Sequence, residues 1–120
     1  MKLILDEMMP EELAPLLVDH TVDHVIDLGW RHIVNGKLLI LCESAGFQVF
    51  ITKDGNMPYQ QNMRGRRIAI ILLRPLTQSI PSLLSLAPRI LALLPTLEEG
   101  SVTVVGETDG RDLSLFKPGT

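Results

Sequence analysis

The sequence predicts an α/β fold: a three-layer α/β/α sandwich around a mainly parallel sheet of about five strands. The 120-residue chain is 46% hydrophobic but only 4% aromatic, so Leu, Ile, Val and Ala must build its core. Short β-rich segments alternate with helical patterns, an order typical of parallel sheets flanked by helices. Residues 68–73 form an unbroken aliphatic run, as in a strand that is covered on both faces.

Segments rich in β-branched and aliphatic residues predict the strands. They lie at residues 2–5, 24–26, 49–52, 67–73 and 102–105. The last of them precedes a polar stretch at residues 107–120. We therefore expect one domain at residues 1–106 and a poorly ordered C-terminal tail.

Helical patterns separate most of these strands. The first contains Pro15, which should kink or break it because a proline costs about 3 kcal/mol in a regular helix. The second begins at Asn35, a common N-cap residue. The third covers residues 79–97 and should divide into two pieces that meet at Pro88. Its leucines point in more directions than one face can bury, which predicts a homodimer.

The apolar composition does not predict a membrane protein. Mean hydropathy is +0.24, but the longest aliphatic run, at residues 68–73, is far below the ~20 residues needed to span a bilayer. The single cysteine, Cys42, lies within an apolar run, which predicts a buried thiol in a reducing compartment. We therefore expect a cytoplasmic protein. The three histidines fit no metal-ligand spacing and are expected at the surface or in turns.

The net charge of −3 conceals an asymmetry along the chain. Residues 1–60 hold 9 acids and 4 bases, and residues 76–120 hold 5 acids and 3 bases. Residues 61–75 hold 4 bases and no acid. This basic window allows a phosphate contact, but it is small beside the basic surface that nucleic-acid-binding proteins usually show.

Acidic residues follow the first three predicted strands: Asp6 with Glu7, then Asp27, then Asp54. In open parallel sheets, ligands bind at the carboxyl ends of the strands, where the winding direction reverses. If the first and third strands are neighbours, Asp6 and Asp54 face each other there. Two close carboxylates suit Mg²⁺ or Mn²⁺, which leaves further positions for water and phosphate. Spacing alone favours the other interpretation, in which these acids cap helices or form turns.

Several motifs, taken in order, resemble the PIN-like domains of bacteria and archaea. They are KLILDEMMPEEL, DLGW, NGKLL, GFQVFITKDGN and MPYQQNMRGRRIAIILL. The resemblance covers residues 2–105, and the PYQQN loop is its most specific part. It implies a PIN fold and a magnesium-dependent ribonuclease related to the toxins of toxin–antitoxin pairs. RNA and an antitoxin-type protein are the partners that it implies.

Carried over residue by residue, the resemblance implies Asp6 and Asp54 as catalytic metal ligands and Glu7 as a supporting catalytic acid. Asn56 stands where many relatives have a further acid. Lys37 replaces a glutamate that relatives have on the helix, and an ammonium close to Asp6 would compete with a cation. The alternative is therefore a degenerate, non-catalytic domain that binds a protein or nucleic-acid partner.

The loop expected at residues 53–66 adds candidates for binding RNA. Arg64, Arg66 and Arg67 are expected near the acidic cleft, either as phosphate clamps or as solvated charges at a strand entrance. Gln60 and Gln61 either read sugar and base edges or tie the loop down by their own hydrogen bonds. The remaining pocket candidates are Trp30, Asn35, Lys37, Thr52, Asn56 and Tyr59. For Trp30, packing beside the pocket and stacking on a base are both open.

Overall fold

A computed structural model describes residues 1–57 and 63–106 and shows a five-stranded, all-parallel sheet with helices against it. The strands are β1 (Lys2–Leu5), β2 (Thr21–His24), β3 (Val49–Thr52), β4 (Ala69–Arg74) and β5 (Val102–Gly106). Their order across the sheet is β2-β1-β3-β4-β5. The predicted fold class is confirmed. The expected tail at residues 107–120, together with Tyr59, Gln60 and Gln61, lies outside the described residues.

Helices pack on both faces of the sheet. They are α1 (Asn35–Ser44), α2 (Ile80–Leu84) and α3 (Ala87–Leu93), with 3₁₀ segments at Glu11–Leu16 and Leu94–Thr96. Side chains alternate between the two faces along each strand. Leu5 therefore joins Leu13 and Ile90 in one apolar cluster, whereas its neighbour Ile4 joins Leu39 of α1 in the other. These two clusters make the fold three-layered.

Most strand bounds agree with the sequence prediction, but β2 does not. It covers Thr21–His24, three residues before the predicted segment at 24–26, because Lys2 pairs with Thr21 and fixes the register. Val25 still donates its N–H to the Leu5 carbonyl at 3.0 Å, and the chain then turns. Apolar composition located the segment, but the pairing with β1 set its bounds.

Prolines shape the helical segments in the way the sequence predicts, with one shift of position. Pro15 lies inside a 3₁₀ segment rather than an α-helix. The long third pattern is divided, but the break falls at residues 85–86. Pro88 instead occupies the first turn of α3, where its missing N–H leaves no helix hydrogen bond unmade.

The leucines of this third pattern pack within the chain itself. Leu83, Leu86 and Leu94 are at most 1% exposed, and Leu91 and Leu93 pack against the same cluster. The break between α2 and α3 turns the two helices so that both bury their leucines. Within the described residues, these leucines therefore leave no surplus apolar face of their own, and the homodimer stays a prediction. No helix within the described ranges is long and apolar enough to span a bilayer.

Candidate functional site

The acids that end β1 and β3 meet at one edge of the sheet. β1 pairs with β2 on one side and with β3 on the other, so the winding direction reverses between β1 and β3. Leu5 is in register with Ile51, and the N–H of Asp6 donates to the Ile51 carbonyl at 3.0 Å. The predicted neighbouring of the first and third strands is confirmed, and it brings Asp6 and Asp54 to the same edge.

Thr52 connects these two acids. Its Oγ1 donates to Oδ2 of Asp6 at 2.8 Å and accepts the backbone N–H of Asp54 at 3.0 Å. The residue is fully buried as the last of β3. The other oxygen of Asp6, Oδ1, accepts the N–H of Glu7 at 2.9 Å. Asp6 is thus oriented through both carboxylate oxygens, each of which keeps a further lone pair.

Asp54 also fulfils the structural role that its spacing favoured. Its Oδ1 accepts the backbone N–H of Asn56 at 3.0 Å, which closes an Asx turn after β3. Asn56 contributes its backbone to this turn and is otherwise exposed. The turn uses one oxygen of Asp54, and Oδ2 accepts no hydrogen bond from a described residue. Turn formation and ligand binding are therefore compatible in this side chain.

The environment of Asp6 disfavours its charged form. Burial raises the pKa of the Asp6 carboxyl above its ordinary value of 3.8, and the nearby charges of Asp54 and Glu7 raise it further. The hydrogen bonds from Thr52 and from the Glu7 N–H oppose this rise. A cation bound beside Asp6 would favour the ionised carboxylate and relieve the repulsion from Asp54.

An open cleft of about 300 Å³ lies over these acids. It is lined by Asp6, Glu7, Met8, Asn35, Lys53, Asp54 and Gln78. Within residues 1–57 and 63–106, no three side chains of His, Cys, Asp or Glu lie close enough together to hold a metal ion. Two carboxylates with water at the other positions nevertheless satisfy Mg²⁺, which often takes only one or two carboxylates from the protein. The donor set therefore fits one ion.

Glu7 belongs to the cleft wall but is drawn toward another residue. Its Oε1 accepts the backbone N–H of His32 at 3.2 Å, and Oε2 lies 3.9 Å from Nδ1 of that ring. This contact explains why Glu7 does not complete a three-acid cluster with Asp6 and Asp54. Nothing in the spacing of the chain indicates the contact with His32.

Lys37 is not among the residues that line the cleft. It is exposed in the first turn of α1, whereas Asn35, two residues earlier, lines the cleft. At about 100° of rotation per residue, these two positions point in nearly opposite directions. The expected competition between Lys37 and a cation beside Asp6 is therefore not supported by the geometry. Asn35 is also the first residue of α1 rather than its N-cap, which is Val34.

Trp30 packs rather than lining the cleft. Its ring meets that of Phe47 edge-to-face, with centroids 6.2 Å apart, at the margin of the cluster under α1. The packing interpretation is confirmed for this residue. Trp30 does not line the cleft, so its predicted place in the pocket is wrong.

Arg64, Arg66 and Arg67 lie at the opposite edge of the sheet from the acids. All three precede β4, and because β4 is parallel to β3, its start is at the amino edge. Arg66 donates to Glu43, near the end of α1, with Nη1 2.9 Å from Oε1, and the Arg67 N–H donates to the same carboxylate at 3.1 Å. Six residues of β4, at about 3.3 Å each, separate the edges by roughly 17 Å. The expected place of these arginines beside the cleft is wrong.

Two cations that the sequence prediction did not single out lie on the acidic side. Lys53 lines the cleft, and Arg74 is the last residue of β4. A Cβ atom added at Gly55 would lie 3.4 Å from Nη2 of Arg74, so this guanidinium reaches the turn that carries Asp54. Like the acids of the cleft, Arg74 stands at the end of a strand, so its position too could have been predicted from the residues that end the strands.

His24 holds the loop that carries Glu7 and Met8. It ends β2 and is only 4% exposed, so the expected surface position is wrong for this histidine. Nδ1 accepts the N–H of Ile26 at 3.2 Å, which leaves Nε2 to donate to the Met9 carbonyl at 2.8 Å. The ring thus ties the loop after Asp6 to the end of β2.

In comparisons with protein-family models, with curated proteins and with solved structures, nothing matches this chain. The PIN-like resemblance therefore rests on the motifs alone, and the geometry of the cleft is the independent basis for a function.

Proposed function

We propose that this chain is a cytoplasmic, PIN-like ribonuclease that holds one Mg²⁺ or Mn²⁺ between Asp6 and Asp54. The observation that carries the proposal is the link through Thr52, which connects the two acids at the point where the sheet reverses its winding. Binding sites of open parallel sheets form at this position. An antitoxin-type partner and a homodimer remain predictions from the sequence.

The residues of the cleft would have separate roles in such an enzyme. Asp6 and Asp54 would hold the ion as ionised carboxylates, and Thr52 keeps Asp6 in one orientation. A bound ion would lower the pKa of a water and neutralise charge on the phosphodiester. Glu7 contributes negative charge at the wall of the cleft, where a proton from attacking water can be accepted.

Cleavage of a single-stranded RNA with Mg²⁺ or Mn²⁺, measured for the natural chain and for Asp6→Asn, tests this proposal. Loss of a metal ligand should reduce the rate by more than the roughly 10–100-fold that is typical of groups which only orient ligands. Asp19→Asn is the matched control, because it removes the same charge from an exposed residue before β2, at the other edge. Equal inactivity of the natural chain and Asp6→Asn with both ions would contradict the proposal.

A second candidate function is a non-catalytic domain that binds a protein or nucleic-acid partner. The observation that favours it is the lack of a three-acid cluster among the described residues. The α1 residue that lines the cleft is the uncharged Asn35. Asn35→Asp would add a carboxylate from α1 to the two proposed metal ligands, Asp6 and Asp54.

Titration calorimetry with Mn²⁺ distinguishes the two functions. Binding by the natural chain that is lost in Asp6→Asn supports the ribonuclease. Binding by Asn35→Asp alone supports a degenerate cleft, because it shows that only a third acid is missing.

A further inference from the structure

We propose that Arg74, assisted by Lys53, forms a phosphate subsite for the backbone of single-stranded RNA beside the Asp6–Asp54 cleft. This inference rests on the proposed ribonuclease function and specifies where that enzyme would hold its substrate. It reassigns the phosphate contact from the arginines before β4 to the one that ends it.

The topology places the two cations together. β3 and β4 are neighbours, with Thr52 in register with Leu72, so Arg74 follows two residues beyond the register position of Thr52. Lys53 is the first residue after β3 and lines the cleft. The guanidinium of Arg74 lies over Gly55, the residue after Asp54. Both cations therefore border the turn that carries one of the proposed metal ligands.

Within the described part of the chain the Arg74 guanidinium is not engaged by another residue, whereas those of Arg66 and Arg89 are. It is exposed and makes no hydrogen bond or ion pair within the described part of the chain, although the turn that it covers carries Asp54. Arg66 is engaged with Glu43, and Arg89 donates to the Gly106 carbonyl at 2.8 Å. An unpaired guanidinium that reaches over a polar turn is available for an anionic ligand.

Phosphodiester chemistry explains why a cation is needed there. Three carboxylates line the cleft, and they repel a phosphate that approaches without compensating positive charge. A guanidinium offers a planar fork that matches two phosphate oxygens, and an ammonium adds a point charge. Arg74 and Lys53 would hold the phosphate adjoining the scissile one, which leaves the carboxylates to the ion.

Arg74→Gln and Arg67→Gln form a matched pair for the test. Both remove one positive charge from an exposed arginine, and the two residues flank β4 at its opposite ends. Binding of a fluorescently labelled single-stranded oligoribonucleotide is measured by anisotropy in EDTA, so that cleavage does not contribute. Arg74→Gln should weaken binding about 3–10-fold and reduce the slope of log K against log [salt] by about 0.7, the value for one contact to a single-stranded phosphate. Lys53→Gln should also weaken binding of the oligoribonucleotide.

Arg67→Gln should leave the affinity and the salt slope unchanged. An equal loss in Arg74→Gln and Arg67→Gln, or no loss in Arg74→Gln, overturns the inference. Competition by inorganic phosphate and by a mononucleotide tests the source of the phosphate. If either competes as well as the oligoribonucleotide, the site binds free phosphate, and the assignment to an RNA backbone is wrong.

The outcome is separable from that of the ribonuclease proposal. RNA binding that depends on Arg74 in a chain without nuclease activity contradicts the enzyme and keeps the subsite. RNA cleavage that requires Asp6 but is unchanged in Arg74→Gln at subsaturating RNA keeps the enzyme and contradicts the subsite.

Discussion

Replacing Thr52 with valine should destabilise the fold, because this hydroxyl serves both acids of the cleft. The substitution keeps the β-branched shape in β3 but removes the donor to Asp6 and the acceptor for the Asp54 N–H. A hydrogen bond to a charged group contributes about 1.5–3 kcal/mol, and an unsatisfied buried N–H costs about 1–3 kcal/mol. Asp6 and Asp54 line the open cleft, so water can replace part of the hydrogen bonding that each loses, and the added methyl group is apolar. A net loss of about 2 kcal/mol follows.

Thermal unfolding measures this loss at neutral pH. For a chain of this size, each 1 kcal/mol corresponds to about 4 °C, so Tm should fall by roughly 8 °C. Thr103→Val is the matched control, because Thr103 is a nearly buried strand residue whose hydroxyl bonds to no described residue. It should change the free energy of unfolding by less than about 0.5 kcal/mol. Equal shifts for the two variants would refute the bridging role of Thr52.

Two further predictions concern charge and backbone conformation. Asp54→Asn should lower the pKa of Asp6, because the Asp54 charge raises it; NMR titration measures this, and an unchanged or higher pKa would show that the two acids do not interact. Because the pKa of Asp6 in the folded chain lies above 3.8, Asp6 keeps its proton to a higher pH in the folded state than in the unfolded state. The free energy of unfolding should therefore fall as pH rises from 3.8 through the raised pKa of Asp6. In Asp54→Asn, the pH interval over which the free energy of unfolding falls should be narrower, as measured by urea unfolding. Gly100→Ala should cost more than about 2 kcal/mol, because its φ is +74° and the new Cβ would lie 2.7 Å from the Arg66 carbonyl oxygen. Gly29 has a similar φ of +76°, but a Cβ added there would have nothing within 4 Å. Gly29→Ala should therefore cost only the roughly 1 kcal/mol of the left-handed conformation. Equal losses in the free energy of unfolding for the two variants would contradict the close approach at Gly100.

The sequence predicts the sheet well because apolar strands are followed directly by the polar residues of the candidate site. The apolar run before Asp6 and the run before Lys53 are both covered on two faces, so their bounds follow from polarity alone. The meeting of Asp6 and Asp54 also follows, since it needs only the order of the strands. β2 is misplaced by three residues because its composition continues past the point where the chain turns.

The predicted position of the arginines beside the cleft is wrong for a different reason. Arg66 and Arg67 follow the loop after Asp54 in sequence, and sequence proximity suggested a common site. A parallel sheet requires the chain to cross back to the amino edge before β4 begins, so its first residues cannot lie beside the residues that end β3. The predicted topology already contained this information, and it points to Arg74 instead.

Side-chain contacts could not be predicted in the same way. The hydrogen bond between Glu7 and the His32 backbone joins residues 25 positions apart, and no periodicity indicates it. The double role of Thr52 depends on the orientation of one hydroxyl group. Such contacts depend on tertiary packing rather than on local propensity.

A crystal soaked in manganese and measured for anomalous scattering tests the central claim most directly. The proposal predicts one peak between Asp6 and Asp54, at about 2.1 Å from a carboxylate oxygen of each, as expected for a hard divalent ion. The Asp6→Asn crystal should lack that peak. No peak in the natural chain would contradict it. A peak only in a second cavity, which Glu43, Glu98 and Glu99 help to line at the amino edge of the sheet, would contradict it as well.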